Sequence, residues 1–582
     1  MRATDPTDEQ PEFDIPFWAD LDPALRLELR SELQQVILRG GEVLFEEGDP
    51  ADALYMLVSG ALGVSVQGSH GEQRRVARIF PPEAIGEMAL VSPSVRSATI
   101  TALRDSVLLK LTREAYGRLV VRCPALMAYL SKLLADRLRT TTRSAPVALT
   151  PLAFAVVPVT QGVSALGFAH ALLQEMRRSG VRADLLDAMP SHADESWLYR
   201  FEAGRERVIY AASEPVGPWT ERCIRHADHV MFVAKPGEPL VAEAEALTRI
   251  ASSWHRHDLV LLQEAGASRP APAHPSLCRL PVDQRLQVRD RNQADLQRVM
   301  RTAGGRAVGL VLAGGGARGF AHLGAIQALH EYGIPIDLVG GTSIGAVMAA
   351  TCALQIGIEE ARARIQEAFV TNPPLNDYTL PLVALVRGRK VDMRLMQHFG
   401  DRDIEDLWLP FFCVSSNLTT GTTHVHRRGS LWRALRASLA IPGLLPPVIE
   451  PEGVLVDGAM MNNLPADVMA DLQRGPVLGI DVARDVTFTS PGDEEKKAPL
   501  LRRLLGLSAD APDIVSLLYR AATISSDAQT LKARAHAALV IHPPLADVPL
   551  RAWEQFERIV TLGYDHTRQR IESGALDVFK IA

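Results

Sequence analysis

The chain lacks most of the features that would place it in a specialised class. Cysteine is scarce: five residues in 582 (Cys123, Cys223, Cys278, Cys352 and Cys413), odd in number and never spaced C-x-x-C. That spacing excludes a disulfide framework and a cysteine-rich zinc site, and it fits a reducing compartment. Neither sign of charge dominates. A formal net charge of −6 leaves nothing to attract nucleic acid over the whole surface. Long apolar runs are missing as well. The least polar stretch, 340–356, carries Thr342, Ser343, Thr351 and Gln355, too short and too polar to span a bilayer, which takes about 20 apolar residues. The first residues, "MRATDPTDEQPEFD", are acidic and have no apolar core, so they do not form a secretory signal. No tandem repeat or long low-complexity tract occurs. The expectation is a cytoplasmic protein that meets a membrane only through a local patch, at its inner face.

What is present is ordinary soluble-protein text, 47% hydrophobic and 22% charged, long enough for several domains. Residues 1–145 begin with short glycine-punctuated β-branched runs. Alternation at Leu54, Met56 and Val58, then at Leu62, Val64 and Val66, predicts an antiparallel hairpin turning at Ser59-Gly60 within a β-roll. Helical periodicity follows from Arg113 to about Arg143, broken by Pro124. Residues 146–300 alternate strand and helix: "LAFAVVPV", "ALGFAHALLQEMRRSG", "RADLLD", "HVMFVAKP" and "DLVLLQE" predict a parallel, doubly wound, Rossmann-like sheet. There "VPVTQGVSALGFAHAL" occupies the position of a phosphate-binding loop but has no G-K-[ST] ending, so a degenerate, structural domain is expected. Residues 301–582 are again α/β.

The third block carries the chemistry. "IDLVGGTSIGAVMAA" (336–350) places Ser343 between Gly341 and Gly345 where a strand gives way to a helix. Side chains at those flanks would collide in so sharp a turn, and the turn projects the hydroxyl at a helix amino terminus, where developing negative charge is favoured. A glycine turn with a helix-capping serine has the same letters. Upstream, "GGGARG" (Gly314, Gly315, Gly316, Ala317, Arg318, Gly319) follows a strand and opens a helix, so its backbone N–H groups can converge on an anion, as an oxyanion hole requires. Gly314, Gly316 and Gly319 also satisfy G-x-G-x-x-G, with Asp337 near the distance of a ribose-binding acid; but Asp337 opens the next strand instead of ending it. A general base is still needed. Asp457, at the end of "EGVLVD" and before Gly458, sits at a strand end, where an Asx turn is the alternative.

These three motifs in this order resemble the patatin-like phospholipase family, and "RASLAIPGLLPPV" (436–448) is similar to the segment that family carries upstream of its aspartate. The resemblance implies an α/β/α hydrolase using a Ser–Asp dyad: Ser343 as nucleophile, Asp457 as base, and Gly314, Gly315, Gly316 and the amide of Arg318 around the oxyanion, with no catalytic cofactor or metal. A Ser–Asp–His triad is the competing arrangement, since His536, His542 and His566 follow Asp457.

Residues 85–100, "IGEMALVSPSVRSATI", resemble the phosphate-binding cassette of cyclic-nucleotide-binding domains. By that resemblance Gly86, Glu87, Met88, Ala89, Arg96 and Ser97 would hold cAMP or cGMP, with Arg96 on the phosphate and Glu87 on the ribose. Such a domain ahead of a patatin domain resembles the neuropathy target esterase family, in a form without a transmembrane helix. The implied function is hydrolysis of acyl esters of lysophospholipids and phospholipids. A cyclic-nucleotide-responsive module with a non-catalytic hydrolase fold, and a lipid acyltransferase, are the alternatives. Two stretches are expected to touch lipid: "KKAPLLRRLLGLSAD" (496–510), with leucines on one helical face, and "LPLVALVRGRK" (380–390).

Overall fold

A computed structural model describes residues 23–67, 73–81, 83–87, 95–122, 127, 153–190, 195–202, 205–215, 217–242, 244, 247, 256–373, 375–380, 382–483 and 526–580. The chain forms two compact units, one of residues 1–262 and 273–284, the other of 263–272 and 285–582.

The first unit opens with a β-roll of six strands: β1 (Gln34–Leu38), β2 (Val43–Phe45), β3 (Ala53–Gln67), β4 (Gln73–Ile79), β5 (Ala84–Ile85) and β6 (Thr99–Thr112). They are ordered β1-β6-β3-β4, with β2 on β6 and β5 on β3. The hairpin expected at Ser59-Gly60 does not form. The chain runs straight through as the 15-residue β3, and its register against β6 shifts at Ser59–Leu62. Gly60 adopts φ +98°, and a Cβ there would lie 2.1 Å from Ser106 Oγ. A glycine that reads as a turn is therefore a bulge, forced by close backbone approach to β6. Of the helical text after β6, Arg113–Val120 is a helix, capped by Thr112, whose hydroxyl accepts from the Ala115 amide. Residues 123–126 and 128–143 of that text lie outside the described residues.

The same unit then builds a parallel sheet from β7 (Ala153–Pro158), β8 (Ala183–Leu186), β9 (Arg207–Ala211), β10 (His229–Ala234) and β11 (Arg256–Gln263), in the order β11-β10-β7-β9-β8. Strand β9, "RVIYA", has no counterpart in the sequence reading. It inserts between β7 and β8, and its last four residues are buried. The helix Ala165–Arg178 follows β7, with Ser164 at its cap.

After β12 (Gln284–Arg289), at the boundary, the second unit forms a sheet of β13 (Gly309–Leu312), β14 (Leu338–Thr342), β15 (Phe411–Asn417), β16 (Thr422–His426), β17 (Val448–Glu450), β18 (Gly453–Asp457), β19 (Val477–Ile480) and β20 (Leu539–Ile541). The order is β17-β18-β15-β14-β13-β19-β20, with β16 also on β15. The centre is parallel and covered on both faces. In β13, Leu310 and Leu312 join one core beneath the helices Ala321–Glu331, Ile344–Ala353 and Phe556–Glu572, while Val311 packs into the opposite core with Val468 and Met469.

One feature differs from a uniformly parallel sheet. β15 and β14 are parallel, with Thr342 opposite Val414, and β15 continues for three more residues. The antiparallel β18 pairs with that overhang, Asp457 opposite Ser415. It therefore runs back toward the sheet and ends level with the end of β14, which brings two strand ends of opposite direction to one place.

Candidate active site

Ser343 lies between β14 and the helix Ile344–Ala353, at its N-cap, with φ +54° and ψ −126°, a conformation that costs a non-glycine residue on the order of 1–3 kcal/mol. The surroundings enforce it. A Cβ on Gly345 would lie 2.2 Å from the Leu312 carbonyl oxygen, and one on Gly341 would lie 2.7 Å from the Gly345 carbonyl. Both flanking glycines are thus required by backbone crossing backbone.

The Ser343 hydroxyl donates to Asp457 Oδ2 at 2.7 Å, in a bond between groups 5% and 1% exposed. The other carboxylate oxygen, Oδ1, accepts from the Ala459 amide at 2.9 Å. Burial raises the Asp457 pKa to about 6, opposed by the hydrogen bonds from Ser343 and the Ala459 amide. The carboxyl group is thus largely ionised at neutral pH and near enough to neutrality to accept a proton. Among the described residues no histidine hydrogen-bonds to either partner. His536, His542 and His566, the triad alternatives, are not brought to the dyad.

The segment 436–448 holds both partners. The Ser343 amide donates to Ser438 Oγ at 2.9 Å, and that hydroxyl donates onward to the Val414 carbonyl at 2.7 Å. The Asp457 amide donates to the Ala440 carbonyl at 2.9 Å. Sequence reasoning singled out the segment by resemblance but not Ser438, which stands 95 residues from its partner with no local signal.

The glycine loop is clipped from two sides. The Gly314 amide donates to the Asn463 carbonyl at 3.3 Å, and Asn463 Nδ2 returns a bond to the Gly314 carbonyl at 3.3 Å. Gly314 was expected among the oxyanion donors; its N–H is already engaged, which leaves Gly315, Gly316 and Arg318 of the expected set. On the other side the Ala317 amide donates to the Leu550 carbonyl at 2.8 Å, and Arg318 Nε to the Val548 carbonyl at 2.7 Å. Gly316, at φ +58°, packs against Leu550, whose carbonyl oxygen would be 2.4 Å from any Cβ there. Behind the loop His322 is fully buried with its pKa lowered to about 4 by desolvation, and its Nε2 bonds to the Ala313 carbonyl at 2.9 Å. It is a neutral packing residue that sequence reasoning did not identify.

The dinucleotide alternative fails on Asp337. Its carboxylate is wholly buried, bound by Arg301 through Nε (2.9 Å) and Nη2 (2.7 Å) and by the Val308 amide (2.9 Å). No oxygen is offered to a ribose. The motif's last glycine serves packing, with a Cβ at Gly319 falling 2.5 Å from the Ile344 side chain.

Beside Ser343 lies a cavity of about 330 Å³ walled by apolar residues such as Ile344, Val347, Phe369, Leu395 and Leu445. It follows the helix from Ser343 to Leu354, roughly 16 Å at 1.5 Å per residue. The site therefore brings together a hydroxyl bonded to a buried carboxylate, a glycine loop beside it and an apolar slot about as long as an acyl chain.

In the β-roll, Gly86 and Arg96 are brought together. Gly86 has φ +77°, and a Cβ there would lie 2.4 Å from Arg96 Nη1. Arg96 is 5% exposed, donates to the Ala53 carbonyl at 3.0 Å and lies 4.0 Å over the Phe45 ring. Glu87 is buried and Ser97 exposed. Met88 and Ala89 lie outside the described residues, as does the stretch 496–510. In the stretch 380–390, Leu380, Leu382 and Val383 are 73%, 84% and 67% exposed. No helix among the described residues is long and apolar enough to cross a membrane.

Residues 310–470 match the patatin-like phospholipase family, 35–123 the cyclic nucleotide-binding domain, and 152–278 the P-loop like domain of the neuropathy target esterase family. The chain is 28% identical to the neuropathy target esterase of Drosophila melanogaster, over 93% of this chain and 43% of that protein. It is also 28% identical to a lysophospholipase of Aspergillus oryzae, over 94% of this chain and 42% of that protein. It thus spans about two fifths of the length of these relatives. An uncharacterised NTE family protein of Mycobacterium tuberculosis is 30% identical over 96% of this chain and 95% of its own length. With its dyad, its glycine loop and all three matched domains in the same order, the chain belongs to the neuropathy target esterase family.

Proposed function

We propose that this chain is a serine esterase that hydrolyses acyl esters of lysophospholipids and phospholipids through an acyl-enzyme on Ser343. The observation that carries the reading is the 2.7 Å bond from the Ser343 hydroxyl to the buried Asp457 carboxylate, at the head of an apolar cavity. Relatives described as lysophospholipases support the substrate class. In the first half-reaction Oγ attacks the ester carbonyl carbon while its proton passes to Asp457. The carbonyl oxygen becomes an oxyanion held by the amides of Gly315, Gly316 and Arg318. Collapse breaks the ester C–O bond, and the leaving alkoxide takes the proton from Asp457. Water then repeats the sequence on the acyl-enzyme, with Asp457 as its base, releasing the fatty acid and restoring Ser343.

A fluorophosphonate probe tests the nucleophile. Wild type becomes labelled and hydrolyses lysophospholipid, and Ser343→Ala does neither. Labelling or turnover that survives the substitution would remove Ser343 from the reaction. A water-accepting esterase releases free fatty acid, whereas an acyltransferase delivers the acyl group to an added alcohol, so product analysis separates the two.

The β-roll is read as a cyclic-nucleotide sensor, with cAMP or cGMP as effector. It alters catalysis only if the ligand binds two states of the chain unequally. The enzyme is further read as cytoplasmic and peripheral on the membrane, docking through Leu380, Leu382 and Val383 with Arg387, Arg389 and Lys390 alongside. Replacing the three apolar residues by serine is expected to weaken flotation with anionic vesicles. Equal flotation would dispose of that surface.

A further inference from the structure

The catalytic cavity is asymmetric in charge. Among the described residues its lining includes Arg364, Arg394, His398 and Arg551 and not one carboxylate. Two of the arginines are occupied. Arg364 donates to Glu360 and to the His398 carbonyl, and Arg394 donates to Gln397 at 2.6 Å. Arg551 differs. It is exposed and lines the same cavity as Ser343; its carbonyl accepts from the Trp553 amide at 2.9 Å, but its guanidinium has no hydrogen bond or ion pair among the described residues.

Its position is built rather than incidental. The preceding residues clamp onto the glycine loop, the Leu550 carbonyl accepting from Ala317 and the Val548 carbonyl from Arg318. On its other side Trp553 stacks on Phe369, ring centroids 5.4 Å apart. The backbone that carries Arg551 is therefore held against the loop expected to bind the ester oxygen. Arg551 lines the cavity together with Gly316 and Ser343, whereas the apolar slot leads away along the helix.

We infer that Arg551 is a specificity residue that binds the phosphodiester of the substrate headgroup while the acyl chain fills the slot. The inference rests on the esterase reading and deepens it. In a lysophospholipid the phosphate is joined to the acyl ester through the glycerol carbons alone, so an anion anchor must sit at the ester end. Guanidinium is the side chain suited to a phosphate, binding through paired N–H donors.

The test compares a 1-acyl lysophospholipid with the 1-acylglycerol of the same chain, which lacks the phosphodiester, on full-length protein. The readout is the ratio of their kcat/KM values. Arg551→Ala is expected to lower that ratio about tenfold, mainly through KM for the lysophospholipid, and Arg551→Lys to retain part of it. Because the ratio is internal to each preparation, a partly unfolded variant cannot mimic the effect. A ratio equal to wild type in Arg551→Ala overturns the inference. Phosphate inhibition that Arg551→Ala abolishes while the ratio of the two substrates stays at the wild-type value marks a free-phosphate site and overturns it as well. If wild type hydrolyses neither lipid, or Ser343→Ala hydrolyses both, it is the esterase reading that falls.

Discussion

Ser438 and Asp457 grip Ser343 from two directions: one accepts its backbone amide at 2.9 Å, the other its hydroxyl at 2.7 Å. The first bond holds a residue at φ +54°, and the second orients its reactive atom. Neither partner is useful without the other, since a hydroxyl aimed from a relaxed backbone would miss the carboxylate.

Ser438→Ala removes the acceptor from a buried amide and frees the elbow to relax. It is expected to lower kcat about ten- to a hundredfold with KM little changed, and to destabilise the fold by about 1–3 kcal/mol, the cost of an unsatisfied buried donor. Steady-state kinetics and urea unfolding check both. Equal losses of kcat and fluorophosphonate labelling rate are expected, because both reactions use the same hydroxyl.

Asp457 gives opposite pH signs for activity and stability. In the proposed mechanism the carboxylate is the base, so kcat/KM is expected to rise with pH through about 6 and then level. For stability, the folded pKa of about 6 stands above the reference value of 3.8, so the native state binds the proton more tightly than the unfolded chain. Stability from this group is present at low pH and is lost as pH rises from about 4 to 6, amounting to about 3 kcal/mol at most. Asp457→Asn is therefore expected to be inactive yet more stable than wild type at pH 8, with the gap closing toward pH 4. Calorimetry of both proteins across that range measures it.

Gly345→Ala places a methyl 2.2 Å from the Leu312 carbonyl oxygen and 2.6 Å from that of Ala313. Backbone cannot yield as a side chain can, so the cost is expected to reach or exceed about 3 kcal/mol, the upper range for overpacking. Loss of soluble protein, or a sharply lower melting temperature, is the expected outcome.

In the first unit, Arg104 of the β-roll is 1% exposed, donating to Glu202 at 3.1 Å and to the Gly60 carbonyl at 3.2 Å, and Tyr210 donates to the same carboxylate oxygen at 2.6 Å. Arg104→Met strands the Glu202 carboxylate in the interior and is expected to cost about 3–5 kcal/mol. The double variant with Glu202→Gln should recover part of this, as thermal unfolding would record.

Arg96→Ala is expected to weaken cAMP or cGMP binding at least tenfold by calorimetry, because the guanidinium is the one cation in the expected phosphate cassette.

Much of this was legible in the amino-acid order because its causes are local. Gly341 and Gly345 flank Ser343 because a strand-to-helix turn leaves no room for side chains, and that requirement lies within five residues. The glycine loop and the strand ending at Asp457 are local in the same sense. Gly60 shows the limit: a turn and a bulge use the same residue, and only pairing of β3 with β6 decided which formed. The choice of Asp457 over three histidines, the engagement of Ser438 and Asn463, and the placement of Arg551 beside the glycine loop all depended on which distant segments meet. β18 reaches Ser343 because β15 outruns β14 by three residues and accepts an antiparallel partner on the overhang. The sequence by itself determined which residues have reactive side chains and which turns can display them. Only tertiary structure decided which of them share a hydrogen bond, because strand register is set by the packing of whole sheet faces and by no one residue's neighbours in the chain.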